Sequence, residues 1–394
     1  MSKFFKSLFV RGREKGINHP FPLPPEILEV IASSLSLPDL FKVVRVCRAC
    51  REVVQPLMYQ HLVLAKYPQR ALRCSATLLA RHDLARAVGS FKAETAHPWN
   101  RVQLAHPLES VQITALREAT NLKHLDLGCI PILALDILNH CTFQLRHLAW
   151  ETVDCHPILH TFLERQSTIQ SLALTSLLSI PGLQPIHVPN LRSFCGRASL
   201  AAQMVPGRPV ESVVIRGDPI YPELLDAIQK MGQSSTPVRE LELYSTGLNL
   251  GTSREWSTPR GFLLELTTAL PCLEHLEVML RNEGEKDLVD TLTETIHNFI
   301  GHLKELRYFV IRTDVASFPV YRSFLDEAEE IQLCQRWHKL CPNLNEVEYL
   351  SGRRWKLAGN RWVKSWAKSY FEMSTLERPW AKDLKPPRAL SAPL

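Results

Sequence analysis

The sequence lacks the short motifs with which many enzymes bind phosphate or activate a nucleophile. It contains no Gly-x-Ser-x-Gly elbow, no Gly-x-x-x-x-Gly-Lys loop and no Gly-x-Gly-x-x-Gly turn. The first motif exposes a nucleophilic serine, and the other two hold phosphate groups against backbone N–H groups. We therefore expect no catalytic residue and no cofactor, and hence a protein that is not itself an enzyme.

Residue spacings typical of metal sites are also rare in this sequence. Cys47 and Cys50 have the spacing of a zinc or redox pair, but a structural zinc site needs a second pair nearby and none follows. His156 and His160 lie four residues apart, without the glutamate that a zinc protease carries after its first histidine. We interpret the cysteines as core thiols and the histidines as surface residues, and we predict no metal site.

Long apolar runs are missing as well. No stretch approaches the ~18 apolar residues of a membrane span. Lys6 interrupts the short apolar N-terminal stretch, and no small-residue cleavage site follows it. We expect neither a membrane partner nor a secretory signal. The ten cysteines are then expected to be reduced thiols in a cytoplasmic and/or nuclear protein.

The net charge of +6 is distributed unevenly. Residues 1–16 hold five basic residues and one acid, and residues 351–394 hold ten and three, which leaves −5 for residues 17–350. A nucleic-acid site needs basic residues clustered on one face, and residues 17–350 contain no such run. We expect no nucleic-acid partner.

Three short blocks of apolar residues at helical spacing occupy residues 23–59. The blocks are Ile27, Leu28, Ile31 and Leu35, then Leu40, Val43, Val44 and Cys47, and finally Val53, Val54, Leu57 and Met58. Pro24 and Pro25 fit a helix start, and Ser36 to Asp39 has the form of a capping box. Helices this short are marginal alone. The stretch is either a docking module that completes its core on another protein or a cap on the following domain.

The order of residues in this stretch resembles an F-box. The resemblance rests on Leu23-Pro24-x-Glu26-Ile27, Leu35, Asp39-Leu40 and Val46-Cys47-Arg48, and it departs at Cys50, where many F-boxes carry tryptophan. An F-box implies docking on the Skp-family adaptor of SCF-type ubiquitin ligases, here with lowered affinity because of Cys50. The adaptor-binding residues so implied are Leu23, Pro24, Ile27, Leu28, Ile31, Leu35, Leu40, Val43, Val44 and Cys47. Leu28, Ile31 and Leu40 are expected on a surface that stays apolar until the adaptor covers it.

A second pattern, a large apolar residue at positions i, i+3 and i+5, recurs along residues 59–350. The copies are Tyr59-Leu62-Leu64, Trp99-Val102-Leu104, Leu122-Leu125-Leu127, Leu145-Leu148-Trp150, Ile169-Leu172-Leu174, Leu191-Phe194-Gly196, Val210-Val213-Ile215, Val238-Leu241-Leu243, Leu273-Leu276-Val278, Leu306-Phe309-Ile311 and Leu344-Val347-Tyr349. This is the pattern of leucine-rich repeats. Its last two positions point to one face of a short strand. One copy cannot offset the entropy of ordering its own backbone, so the copies must stack.

The two patterns together predict an α/β fold. A three-helix F-box is followed by a leucine-rich-repeat solenoid, with parallel strands on the concave face and helices outside, the longest early helix spanning residues 69–87. The predicted domains are a basic flexible N-terminus (1–18), the F-box (19–58), the repeat array (59–350), a C-terminal cap (351–380) and a disordered tail (381–394).

Residues 351–394 depart from the repeat pattern. Trp355, Trp362 and Trp366 alternate with basic residues, and Ala358-Gly359-Asn360 predicts a hairpin turn. This composition fits a patch for nucleic acid or an acidic partner. It also fits a cap whose indoles cover the end of the repeat array, and we favour the cap.

Positions i+2 and i+4 of each copy point away from the core. Parallel register places Glu242 opposite Glu277, a mildly destabilising pair of like charges that nearby Arg312 would partly neutralise. This face is either an ordinary solvated surface or a site for a basic segment of a substrate. The substrate-binding residues of the second interpretation are Glu240, Glu242, Tyr244, Glu277, Tyr308, Glu346 and Glu348.

An F-box followed by leucine-rich repeats is similar to the F-box/LRR substrate receptors, in particular the fungal type. The resemblance implies that the F-box binds the adaptor and, through it, the cullin and RING subunits that transfer ubiquitin, while the repeats bind a protein substrate. The alternative is a leucine-rich-repeat scaffold outside any ligase, whose box binds the adaptor weakly or not at all.

Overall fold

A computed structural model of the chain describes residues 23–64, 68–93, 114–128, 138–150, 157–174, 187–217, 219, 221–244, 259–280, 286–313 and 325–365. The chain forms two compact units, one built mainly from residues up to Leu125 and the other mainly from residues after it. The predicted copy at Trp99, the N-terminal segment, Trp366 and the tail lie outside the described residues. Among the described helices, none combines the length and apolar composition that crossing a membrane requires.

The first unit begins with three helices. The elements that begin within it are, in chain order, α1 (Pro25–Ser33), α2 (Leu37–Val43), α3 (Arg48–Tyr59), β1 (His61–Leu64), α4 (Pro68–Ala80), α5 (His82–Ala87), β2 (Ser90–Ala93) and β3 (His124–Asp126). Helices α1 and α2 both pack against α3, and α3 also packs against α5. Strand β1 pairs with β2 in parallel register.

Local sequence explains where the first helices begin. Pro24 is the N-cap of α1 and Pro25 its first residue, a place where the missing N–H of proline costs nothing. Ser36 is the N-cap of α2, but the predicted capping box is wrong. The Ser36 hydroxyl donates to the Asp39 carboxylate (2.7 Å) and caps no backbone N–H. A capping box uses glutamate or glutamine at this place, and aspartate is one methylene shorter.

Two predictions for the segment after the third helix are corrected. The single helix expected over residues 69–87 is two helices, because Arg81 has non-helical dihedrals (φ −129°, ψ 84°) and pairs with Asp83 in the first turn of α5. Strand β2 was missed because its third anchor is the small residue Ala93. Val88, Phe91 and Ala93 nevertheless keep the i, i+3, i+5 spacing, and all three are buried.

The second unit alternates strands with helices. Its elements are β4 (His147–Trp150), α6 (Pro157–Glu164), β5 (Ser171–Leu174), β6 (Ser193–Gly196), α7 (Ala198–Met204), β7 (Ser212–Arg216), α8 (Tyr221–Met231), β8 (Glu240–Tyr244), α9 (Pro259–Ala269), β9 (His275–Leu280), α10 (Lys286–Ile300), β10 (Tyr308–Thr313), α11 (Glu327–Leu340), β11 (Glu346–Glu348), β12 (Arg354–Ala358) and β13 (Arg361–Ser365).

The strands of this unit form a long, largely parallel sheet in chain order. Strands β4 to β11 pair in parallel with their sequence neighbours, and β12 and β13 follow in antiparallel register. Each of the helices α7 to α10 packs against the next described helix along the chain. The apolar anchors of each described copy point into the core, as Leu241, Leu243, Leu276 and Val278 illustrate. This places the residues between the anchors on the opposite face of the sheet.

The predicted C-terminal hairpin is present as β12 and β13. Ala358 pairs with Arg361 across the turn, and Gly359 has a positive φ of 62° that favours glycine. Trp355 and Trp362 are buried. The Trp355 indole donates to the Glu330 carboxylate at 2.8 Å, so this tryptophan is part of the packed interior of the fold.

Candidate functional site

The three N-terminal helices close a small core among themselves. Its buried members are Leu28, Ala32, Leu35, Leu37, Leu40, Val43, Cys50 and Val54. Partly buried apolar side chains, including Val44 and Cys47, pack around it. One of the two alternatives left open by the sequence was that these helices complete their core on another protein. All three helices instead contribute buried side chains to one cluster within the chain.

The exposed apolar residues of this module differ from those expected. The prediction of surface exposure is wrong for Leu28 and Leu40, which are 3% and 0% exposed because they face α3 in the core. Ile31 is half-buried. Ile27, Val30 and Val46 are instead 46%, 68% and 44% exposed.

This distribution separates two groups among the predicted adaptor-binding residues. Leu28, Leu35, Leu40 and Val43 are core residues, whereas Leu23, Pro24, Ile27, Ile31, Val44 and Cys47 retain accessible surface. Val30 and Val46 were not among the predicted contacts. Periodicity could have identified Val30, because it lies three residues after Ile27 on the solvent side of α1.

Cys47 and Cys50 lie at the start of α3. Cys47 is the N-cap, and its sulfur accepts from the Cys50 N–H at 3.3 Å. The two sulfurs are 3.1 Å apart and both thiols are free. Burial, followed by the contact with Cys47, raises the pKa of Cys50 to about 12, which makes it an unreactive core thiol.

The second candidate site is the sheet face from β8 to β12. The predicted register is confirmed: Glu242 lies beside Glu277, and Glu277 lies beside Val310. Glu240 and Tyr308 are exposed, Glu242 and Tyr244 are half-buried, and Glu277 is buried.

Arg312 neutralises two of the predicted substrate-binding acids. It binds Glu348 with two hydrogen bonds of 2.7 and 2.9 Å and binds Glu277 with one of 2.9 Å. The Tyr244 hydroxyl also donates to Glu277 at 3.0 Å. Bidentate pairing with a carboxylate suits the planar guanidinium of arginine. Glu277 and Glu348 are therefore held by the fold itself and are not freely available to a basic partner.

Glu346 is neutralised in the same way. Arg354 of β12 forms an ion pair with Glu346 of β11, a contact that sequence reasoning missed. The cross-strand neighbour of Glu346 is Lys356, and the pair with Arg354 is diagonal, so it depends on the register of the hairpin. No periodicity within one strand specifies that register.

Glu242 has a strongly raised pKa. Partial burial and the nearby negative charge of Glu277 raise its pKa to about 7. Glu242, His275 and Glu277 could together offer ligand atoms to a metal ion, since these atoms lie within 4.8 Å of one another. However, the Arg312 guanidinium already supplies the positive charge at Glu277, which weighs against a cation there.

Two tyrosines, Tyr244 and Tyr308, lie on the same face of the sheet. Tyr308 is 40% exposed, and its ring lies 5.8 Å from that of His275. The Arg216 guanidinium lies over the Tyr244 ring at 5.9 Å, a cation–π contact. The face thus combines an exposed Glu240, a perturbed Glu242 and an exposed tyrosine, with the remaining acids already paired.

Comparison with protein families bears on the three N-terminal helices. The F-box-like family model matches residues 22–65, the segment that contains α1, α2, α3 and β1. No curated protein matches the chain. The chain therefore carries an F-box-like domain at its N-terminal helices, and F-box domains typically bind Skp-type adaptors.

Proposed function

We propose that this chain is the substrate-recognition subunit of an SCF-type E3 ubiquitin ligase. In this proposal the F-box-like domain binds the Skp-family adaptor and, through it, the cullin and RING subunits. The following repeats are leucine-rich repeats of the fungal F-box/LRR type and bind the protein substrate. The chain supplies specificity and no chemistry, and it acts in the cytoplasm and/or nucleus.

One observation carries the proposal. The residues that match the F-box-like model close their own core and still keep Ile27, Val30 and Val46 exposed. Solvated apolar side chains on a folded module favour a protein contact when they cluster. Ile27 and Val30 are three residues apart on one helix, so they lie on the same face.

The alternative is a leucine-rich-repeat scaffold outside any ligase. Cys50 favours it, because many F-boxes carry tryptophan here and this chain buries a small thiol instead. A loss of aromatic surface at this position would weaken adaptor binding. The two proposals differ in one measurable quantity, which is the affinity of the full-length chain for the adaptor.

The test is co-expression of the full-length chain with a Skp-family adaptor. We expect a one-to-one complex for the wild type and loss of the adaptor for Ile27→Asp/Val30→Asp, because the carboxylates would be desolvated in the contact. Both residues are exposed in the free chain, so the variant should unfold at the wild-type temperature. Leu28→Asp is unsuitable because it places a charge in the core of the module.

Leu264→Asp is the matched control. Leu264 is another exposed leucine, at 55%, on α9 of the second unit, and its replacement should leave adaptor binding unchanged. If the wild type forms no complex, the scaffold proposal is favoured. If the double variant retains the adaptor at wild-type affinity, the contact surface is misassigned.

A further inference from the structure

Three potential metal ligands meet beside α6. His160 and Glu164 lie four residues apart on this helix, and His187 comes from the segment that precedes β6. Nδ1 of His160 is 3.2 Å from Oε1 of Glu164, and Nε2 of His187 is 3.5 Å from the same oxygen. The three ligand atoms lie within 4.8 Å of one another, and the two rings are 5.1 Å apart at 74°.

These distances fit ligands of a shared ion, and they lie at or beyond the long end of the range for a direct hydrogen bond. Zinc–nitrogen and zinc–oxygen bonds of ~2.0–2.2 Å at a tetrahedral angle put neighbouring ligand atoms ~3.3–3.5 Å apart. Charge-assisted N–H···O⁻ hydrogen bonds are typically ~2.7–2.9 Å long. The pair formed by His82 and Glu118, with no third ligand recorded among the described residues, has a separation of 2.9 Å. The pairs at Glu164 are therefore spaced as ligands of one metal ion would be.

The backbone around His187 is held firmly. The Arg208 guanidinium is fully buried and donates to the carbonyl of His187 at 2.9 Å and to that of Met204 at 2.7 Å. The next residue, Val188, is buried with a φ of 55°, which is unusual for a β-branched residue. Such a conformation persists only where the surrounding structure imposes it, so His187 is positioned before any ion arrives.

The charge and accessibility of the cluster also suit a cation. With neutral imidazoles the three side chains carry one net negative charge. Within the described part of the chain, Glu164 forms ion pairs only with the two histidines, whereas Glu277 is paired with Arg312. His160 and His187 are half-buried and Glu164 is exposed, so an ion can enter from solvent.

We propose that His160, Glu164 and His187 form a binding site for a divalent transition-metal ion of the zinc class, with water completing the coordination. Two imidazoles and one carboxylate are ligands that Zn²⁺ accepts readily, whereas Mg²⁺ and Ca²⁺ prefer oxygen ligands alone. The ion would link α6 to the segment before β6 and thereby stabilise the fold around β5. The role is independent of the proposed ligase function.

The test uses the full-length chain, stripped with a chelator and titrated with Zn²⁺ or Co²⁺. We expect one site, a rise in melting temperature with added Zn²⁺ because the ion binds only the folded state, and visible Co²⁺ bands typical of nitrogen and oxygen ligands. Thiolate ligands would add an intense near-ultraviolet band, which separates this site from the free cysteines. Binding should weaken in acidic solution, because metal ligands must be deprotonated.

Variants of Glu164 and His187 test whether these residues bind the ion. Glu164→Gln, which preserves shape, and His187→Ala should each lower Zn²⁺ affinity roughly tenfold or more, since even outer-shell losses have that scale. His82→Ala, which removes the histidine of the ordinary pair with Glu118, should bind Zn²⁺ as the wild type does. Equal affinity in the wild type and Glu164→Gln, or cobalt bands from thiolate ligands alone, would overturn the proposal.

Discussion

Glu242 lies partly buried on β8, beside Glu277. Its pKa of about 7 means that the folded chain holds a proton that the unfolded chain, with the ordinary value of 4.5, has already released. Between these two pH values the native state binds more protons, so its stability falls as pH rises. Above pH 7 the full cost, on the order of 3 kcal/mol, is present.

Glu242→Gln should remove this cost. We expect the variant to unfold at a higher temperature than the wild type at pH 8, with the difference shrinking as the pH falls toward 4.5 and vanishing in more acidic solution, where the carboxyl is protonated in both states. Thermal unfolding across this pH range measures the effect. Glu223→Gln, which removes one exposed carboxylate of α8 rather than of this strand face, controls for the change in net charge. An equal stabilisation by Glu242→Gln at both pH values would contradict the assigned cause.

Arg312 neutralises two nearly buried carboxylates at once. It contacts Glu277 and Glu348, and all three side chains are nearly buried. Arg312→Met would leave two carboxylates without their cation, and removing one partner of a buried ion pair typically costs ~3–5 kcal/mol. Chemical denaturation at pH 8 should show a loss of this size.

The matched control for Arg312 is an exposed arginine with the same kind of partner. Arg239 pairs with Glu274 at 2.8 Å but is 56% exposed, so Arg239→Met should cost less than about 1 kcal/mol. Similar losses for both variants would show that the Arg312 network is screened by solvent. The unfolding slope with denaturant should be unchanged in either case.

At the scale of the strand, one imperfect repeat copy has a steric explanation. Gly196 occupies the third anchor position, where most other copies carry a large residue. A Cβ built there would lie 2.5 Å from the Leu174 carbonyl oxygen and 2.8 Å from the Phe194 ring. Phe194 is fully buried, so its ring takes the space that the missing side chain would occupy.

Gly196→Ala should therefore destabilise the second unit. Overpacking of a close-packed core typically costs ~1–3 kcal/mol, and the contact with backbone cannot be relieved by a side-chain rotation. Gly301→Ala is the control, because its nearest contact would be an ordinary 3.6 Å to Leu340. Thermal unfolding of both variants measures the difference, and an unaltered melting temperature for Gly196→Ala would refute the steric explanation.

The same elements indicate what the sequence can predict. Spacing placed Leu241 and Leu243 in the core and put Glu242 beside Glu277, because the two-residue period of a strand leaves no choice of face. Spacing could not assign Leu28 and Leu40 correctly, since a helical stripe does not reveal what covers it. It also missed the cluster at His160, because its third member, His187, is distant in sequence and reaches the cluster only through the fold.

At the scale of the whole molecule, the proposed function assigns adaptor and substrate to different units. A basic segment would meet Glu240 and Glu242, since Glu277, Glu346 and Glu348 are already paired with arginine. Tyr308 is exposed on the same face. Attraction between charged surfaces weakens as salt rises, so substrate capture by this face should be salt-dependent.

Separation of the two activities is the expected outcome in cells. Glu240→Lys/Glu242→Lys should lose the substrates captured by the wild type while retaining the adaptor. Ile27→Asp/Val30→Asp should lose the adaptor while retaining these substrates. Proximity labelling with each full-length variant measures both. Glu223→Lys/Glu305→Lys, which reverses two other exposed acids of the second unit, controls for net charge. If this control loses the same proteins, capture depends on overall charge, because a specific contact at β8 would be unaffected by reversals elsewhere.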